Sequence, residues 1–518
     1  MRANRTLTVL TGALLCLLPA AQMADAAARP IAAPTAVAPC SSAGAVDFNG
    51  DGYSDAVVGD PEATVAGKAD AGRIVVLYGD ADGRIGEGAR SVLTQADLGL
   101  PVEAGDQFGW SVATAQVDFD SCADVVVGAP GEDLSGKADA GTIHVVFGSK
   151  AGLNGDAPAV TLSQADVAGT VEAGDRFGGS VAAGANLGQD TSVVAAGAPG
   201  EDIGTASSAG AVNLVQFSDT HPVIPHQISQ DTSGVPGVAE TADRFGAAIA
   251  LGIAVLRPDL DWELLVGAPG EALGTRASAG SLTVLPGAQG YPPATWSGVS
   301  YTQDSPGVPG AAEAGDEFGE SIAVTSADYL AHGSLRSIAV GVPGEDVGGN
   351  DGAGLVDRFT SDGTGLTSTT SITQDTAGVA GSPEAGDHFG QSVAVVSGSG
   401  HLLVVGVPGE DVGAIVDAGI AQEFPWAKVA QDTTFNQDTP GAAGVVHARS
   451  RYGSPVVGIE GSSEHVFAIG NPDNGTGTVH VVTLTPSFAS RSWVPATGGV
   501  PTGASRFGWS VGGYDDLH

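Results

Sequence analysis

The segment Asp47-Phe-Asn49-Gly-Asp51-Gly52-Tyr53-Ser-Asp55 places oxygen donors at alternating positions and ends on a further carboxylate. Donors at the first, third and fifth places converge on one point when the backbone coils tightly. Gly52 supplies the turn, Tyr53 offers its carbonyl and Asp55 closes the shell. An all-oxygen shell is hard-cation chemistry and suits Ca²⁺. A helix-flanked calcium loop would need Glu at position 12, where Val58 stands, and the run Asp55-Ala-Val-Val-Gly has strand character instead. An acidic turn without an ion is the competing reading. Two weaker copies follow: Asp118, Asp120 and Asp124 in a loop shortened by two residues, and Asp259, Asp261 and Glu263.

Carboxylates also recur in two other patterns. Gly-Glu-Asp gives Glu132/Asp133, Glu201/Asp202, Glu345/Asp346 and Glu410/Asp411, with Glu62 and Glu271 as partial copies. Glu-x-x-Asp before an aromatic-Gly pair gives Glu103/Asp106, Glu172/Asp175, Glu240/Asp243, Glu313/Asp316 and Glu384/Asp387. Crowded carboxylates repel unless cations, amides or a basic partner offset them, so the Gly-Glu-Asp residues form a candidate ligand face. The alternative is that each accepts hydrogen bonds from its own loop. A unique site would come from a break in symmetry; candidates are the irregular insertions His221–His226, Tyr291–Trp296 and Tyr329–His332. No G-x-S-x-G, H-E-x-x-H or P-loop occurs, and the ten His residues show no ligand spacing.

Three marks repeat seven times in one order and dictate the elements that carry these residues. Aromatic-Gly pairs begin at Phe108, Phe177, Phe245, Phe318, Phe389, Tyr452 and Phe507, at intervals of 69, 68, 73, 71, 63 and 55. Gly-x-Pro triplets begin at Gly59, Gly128, Gly197, Gly267, Gly341, Gly406 and Gly470. Small-residue-Gly pairs follow at Ala71, Ala140, Ala209, Ala279, Ala353, Ala418 and Thr476. Within one period, four short aliphatic runs are separated by Gly, Pro, Asp and Ser, which is strand chemistry without helical spacing. The first Gly-x-Pro lacks an aromatic-Gly pair before it, and the last pair lacks a Gly-x-Pro after it. A closed ring uses that offset. The pattern predicts an all-β, seven-bladed β-propeller of four-stranded antiparallel blades, with 506–518 completing the first blade. In such blades the calcium loop and the two acidic motifs fall on opposite faces.

Phe-Gly, Gly-Ala-Pro and the D-x-N-x-D-G-x-x-D loop, in this order, resemble the FG-GAP repeat family, the N-terminal propeller of integrin α subunits and its bacterial relatives. The resemblance spans about residue 41 to the C-terminus. It implies a calcium-binding propeller that mediates adhesion or ligand contact, and it leaves the ligand unspecified.

The remaining expectations concern compartment and partners. Arg2 and Arg5, the apolar run Leu7 to Ala21 and Ala24-Asp25-Ala26 predict a secretory signal over 1–28, followed by a linker at 29–40 and the propeller at 41–518. No later run reaches the ~20 apolar residues of a membrane span. After cleavage Cys40 and Cys122 remain, either as one disulfide or as two thiols. With 59 acidic against 20 basic residues and a net charge of -39, nucleic acid and anionic lipid are poor partners. The expected function is a secreted, calcium-binding, non-catalytic ligand-binding or adhesion module, monomeric, with an extracellular protein or glycan as partner. The alternatives are a propeller hydrolase or lyase acting on glycan or lipid through loop carboxylates, and an extracellular structural protein.

Overall fold

A computed structural model describes residues 40, 46–81, 84–86, 89–185, 191–253, 255–256, 262–287, 296–325, 336–397, 400–429, 431–459, 465–473, 475, 477–484, 489–495 and 506–512. The expected leader and all of the linker except Cys40 lie outside these residues, as do Asp259, Asp261, 291–295 and 329–332. Among the described residues no helix is long and apolar enough to cross a membrane.

Short β-branched runs become strands in every repeat. The first comprises β1 (Ala56–Asp60), β2 (Arg73–Leu77) and β3 (Arg90–Leu93), and the second β4 (Ser111–Ala115), β5 (Asp124–Ala129), β6 (Thr142–Val146) and β7 (Val160–Leu162). The third holds β8 (Ser180–Ala185), β9 (Ser192–Ala198), β10 (Ala211–Ser218) and β11 (His221–Ile228), and the fourth β12 (Ala248–Ile253), β13 (Trp262–Ala268), β14 (Ser281–Pro286) and β15 (Val299–Tyr301). The fifth holds β16 (Ser321–Val324), β17 (Arg336–Val342), β18 (Leu355–Ser361) and β19 (Leu366–Ile372), and the sixth β20 (Ser392–Val396), β21 (Leu402–Val407), β22 (Ile420–Pro425) and β23 (Thr433–Phe435). The seventh holds β24 (Val456–Gly458), β25 (Val466–Asn471), β26 (Thr478–Thr483) and β27 (Ala489–Trp493), and β28 (Ser510–Gly512) follows.

These strands form seven four-stranded antiparallel sheets, each a meander, and the one exception in chain order seals the ring. There β28 pairs with β1, matching Val57 with Gly512, Val58 with Val511 and Gly59 with Ser510. The innermost strands β28, β4, β8, β12, β16, β20 and β24 contact one another in sequence, and β28 meets β25 of the seventh blade. The protein is therefore a seven-bladed propeller closed by its terminal strands.

Cores lie between blades. Val57, Ile74 and Val76 of the first blade pack with Phe108, Val125 and Val127 of the second. At the seam Val58, Val75, Val479, Val481, Phe507 and Val511 do the same, so the closure is as apolar as any other junction. The second strand of a blade is buried on both faces, which explains its unbroken Val and Ala runs.

The three repeated marks meet at each junction. A Cβ on Gly128 would lie 2.1 Å from the carbonyl oxygen of Gly178 in the next blade, whose own N–H donates to Gly197 O at 2.9 Å. Gly141, at φ +84°, holds its backbone so close to Phe177 that a Cβ would sit 2.2 Å from that carbonyl oxygen. Phe177 in turn is fully buried between the two sheets. Serine adds a hydroxyl bridge at several junctions: Ser111 Oγ donates to Gly178 O at 2.8 Å and Ser510 Oγ to Gly109 O at 2.8 Å.

One expectation changes here. His221–His226 is not an irregular insertion but the start of β11, paired with β10 through a register shift between Val215 and Gln216. As the outer edge of its blade, β11 tolerates Pro222 and Pro225 because its free side needs no ladder donors.

Candidate metal loop and acidic face

The loop Asp47–Asp55 leads into β1 and is shaped by its own carboxylates. Asp47, fully buried, accepts the N–H groups of Asn49 at 3.2 Å, Asp51 at 3.2 Å and Gly52 at 2.7 Å. Asn49 donates to Asp51 Oδ2 at 3.0 Å, and Asp51 Oδ1 accepts Tyr53 N–H at 3.0 Å. Asp55, also fully buried, takes Phe48 N–H and Gly79 N–H, each at 2.8 Å. It thereby ties the loop to the end of β2. Burial pushes the Asp55 carboxyl up to about 7, and the charges of Asp47 and Asp51 push the same way. Burial also raises Asp47, against the amides that favour its ionised form. The charges acting on both groups are other carboxylates, an imbalance that a divalent cation would offset.

The weaker copy in the second blade lies beside it. Ala123 N–H donates to Asp47 O at 2.9 Å and Ser149 N–H to Phe48 O at 3.1 Å. Asp124 repeats the part of Asp55, accepting Val117 N–H at 2.6 Å and Gly148 N–H at 2.8 Å, and burial raises it well above the carboxylate range. Asp118 is raised to about 6, by burial and then by Asp120. Cys40 and Cys122 are joined in a disulfide, with Cα atoms 5.3 Å apart, and Cys40 N–H donates to Asp120 O at 3.1 Å. Among the described residues, Cys40, Asp120 and Cys122 are the one trio of His, Cys, Asp or Glu ligand atoms within 4.8 Å of one another. Its sulfurs are bonded to each other. Glu263 takes the corresponding place in the fourth blade, where its longer carboxylate receives the N–H groups of Val255 and Leu256.

At the opposite end of the blades the two acidic motifs share one surface. Gly131 N–H donates to Asp106 O at 3.2 Å within the second blade, and Gly105 N–H to Ala69 O at 3.0 Å in the first. Their carboxylates divide into three roles. Asp133, Asp202, Asp346 and Asp411 each accept an N–H from six residues on, at 3.0, 2.8, 3.1 and 2.9 Å. Asp106, Asp175 and Asp387 accept the N–H of the Glu three residues earlier at 2.6 to 2.7 Å. The Gly-Glu-Asp glutamates instead receive a glutamine from the preceding blade: Gln95 to Glu132 and Gln303 to Glu345 at 2.6 Å, and Gln164 to Glu201, Gln230 to Glu271 and Gln374 to Glu410 likewise. Burial raises Glu132, Glu201, Glu271 and Glu345 to about 7. On this surface Asp133, Asp202 and Asp346 are exposed, while Glu201 is buried.

The sequence reading missed the glutamines. Their signal was present, since a Gln follows Ser or Thr at positions 95, 164, 230, 303 and 374, near the common period. His144 is buried, bonded to Thr142 and Thr161, and held neutral by burial with its pKa lowered to about 3. His480 likewise meets only a neutral partner, the Tyr452 hydroxyl, among its described hydrogen bonds.

The FG-GAP repeat family matches residues 41–77 and 108–146. Phosphatidylinositol-glycan-specific phospholipase D of Bos taurus is 34% identical over 129 residues, and that of Homo sapiens 32% over 130 residues. Each match covers 23% of this chain and 14% of the relative, so the similarity is confined to a small part of those enzymes. Among solved structures, the periplasmic gluconolactonase PpgL of Pseudomonas aeruginosa aligns over 88% of this chain and 98% of its own, at 13% identity and a TM-score of 0.46. The chain thus carries FG-GAP repeats at 41–77 and 108–146, within a seven-bladed β-propeller whose sheets are joined by the same aromatic-Gly junction.

Proposed function

We propose that the chain is an extracellular, calcium-stabilised propeller that works as a non-catalytic ligand-binding or adhesion module. The observation that carries the calcium part is the loop 47–55, whose own carboxylates gather its backbone amides and where the charges that reach buried Asp47 (Asp51) and Asp55 (Asp47 and Asp51) are all negative. Asp47, Asn49, Asp51, the Tyr53 carbonyl and Asp55 would hold the ion, which would neutralise the loop and pin it against the second blade. The apolar leader and the Cys40–Cys122 disulfide support export. The loop carboxylates at the opposite end are spent on glutamines and amides in blade after blade, which favours a scaffold over a hydrolase. The exposed Asp133, Asp202, Asp346 and the half-buried Asp411 remain the acidic contacts such a scaffold would offer.

A thermal melt with calcium and with chelator tests this reading. An ion at a hundred times its Kd adds about 2.7 kcal/mol to the folded state, so calcium should raise the transition clearly. Coincident melts in the two solutions would remove calcium from the proposal.

A further inference from the structure

The residues flanking the aromatic-Gly pairs break the seven-fold symmetry at one place. Trp110 and Trp509 each sit between the pair's glycine and the serine that opens an innermost strand, β4 and β28. Their rings lie with centroids 4.6 Å apart at 48°. The Arg176 guanidinium stands 5.3 Å from the Trp110 ring centroid and that of Arg506 5.0 Å from Trp509. Three adjacent blades thus contribute a continuous Arg–Trp–Trp–Arg row at the hub.

Blade building does not require this row. At the place of the two tryptophans the other repeats carry Gly179, Ala247, Glu320, Gln391 or Ser454, and their strands form equally well. Both indoles remain only half-buried. Arg506 is held by Glu62 at 3.3 Å and Asp473 at 3.0 Å, which fixes one end of the row. Arg176 is exposed and has no carboxylate within 4.0 Å among the described residues. In a chain of 59 acidic and 20 basic residues, an arginine set against an indole with no carboxylate within 4.0 Å among the described residues is a local reversal of charge.

We propose that this row is a binding site for a small acidic saccharide, one that packs along the exposed edges of Trp110 and Trp509 and whose carboxylate or phosphate is taken by Arg176. The indole faces are taken by each other and by the guanidinium groups, so the half-exposed edges form the apolar strip against which a sugar ring packs. The planar guanidinium matches an oxyanion in a bidentate contact. The net charge of -39 repels a polyanion at long range, which restricts the ligand to a short molecule with few charges. This site is separate from the loop at 47–55 and does not depend on calcium being bound there.

The test uses the full chain and follows tryptophan fluorescence and binding heat. The probes are galacturonic acid trisaccharide against galactose trisaccharide, and glucose 6-phosphate against glucose. At least one acidic sugar should bind at least ~10-fold more tightly than its neutral parent, the size of one charge-assisted contact. Arg176→Gln should erase that difference while leaving the melt in place, because the side chain is exposed. Trp110→Ala should weaken acidic and neutral sugars alike, and Arg176→Gln still decides the matter if the tryptophan variant fails to fold. Equal binding of acidic and neutral sugars, no binding of any, an unaltered Arg176→Gln, or full displacement of the sugar by an equal concentration of inorganic phosphate would each overturn the proposal.

Discussion

Raising the pH from 5 to 8 should weaken the ring, and Glu201→Gln should recover part of the loss. Glu201 is only 5% exposed, and its carboxyl receives the amides of Gln164 and, at 3.1 Å, Gln227. Burial raises it from an ordinary 4.5 to about 7, with Asp175 and Glu172 adding to the rise. The folded chain therefore holds a proton that the unfolded chain has released. Stability from this site is complete below about pH 4.5 and is lost as pH climbs through about 7. At about 1.4 kcal/mol per pKa unit the shift caps the loss at roughly 3 kcal/mol, and relaxation or water entry will reduce it. Glu132, Glu271 and Glu345 carry the same shift in other blades, so the wild-type decline should exceed that of one site. A neutral amide at 201 still accepts a hydrogen bond but has no charge to desolvate. Urea unfolding in chelator at pH 5 and 8 should show Glu201→Gln within about 1 kcal/mol of wild type at the lower pH and more stable by about 1 to 2 kcal/mol at the higher. Wild-type stability that rises over this interval, or a glutamine variant as damaged at pH 8 as at pH 5, would refute the reasoning.

Two further outcomes follow from the junctions. Deleting 506–518 removes β28, exposes the inner edge of β1 and empties the place of buried Phe507, a loss of about 3 to 5 kcal/mol for the aromatic alone; circular dichroism should find the truncated chain largely unfolded or melting far below its parent. Gly128→Ala puts a methyl group against the Gly178 carbonyl and should cost about 1 to 3 kcal/mol in urea, whereas Gly136→Ala, which meets nothing within 4 Å but sits at φ +80°, should cost only its backbone strain.

What the sequence disclosed was what sterics enforce. Gly128, Gly141 and Phe177 meet within one junction where no Cβ fits, so their identities recur and the ring, its blade count and its closing strand could be read from spacing alone. Polar partnerships were harder. Glu132 and Glu201 stood out as surface acids because their partners, Gln95 and Gln164, lie 37 residues away on the preceding blade. His221–His226 was obscured by two prolines, which an edge strand absorbs and an inner strand would not. The pairing of Cys40 with Cys122 needed the fold, since 82 residues separate them and only the contact of the first loop with the second blade brings them together. The Trp110–Trp509 stack likewise joins positions from the two ends of the repeat array, and only ring closure makes them neighbours.

The central claim, that Asp47 to Asp55 holds a calcium ion, is tested most directly by counting bound calcium calorimetrically in the full chain and in Asp51→Ala. Asp51 is exposed and its oxygens serve only the loop, so the variant should keep the parent's fold while binding one ion fewer. Equal stoichiometry and affinity in the two proteins, or no calcium bound by the parent, would contradict it.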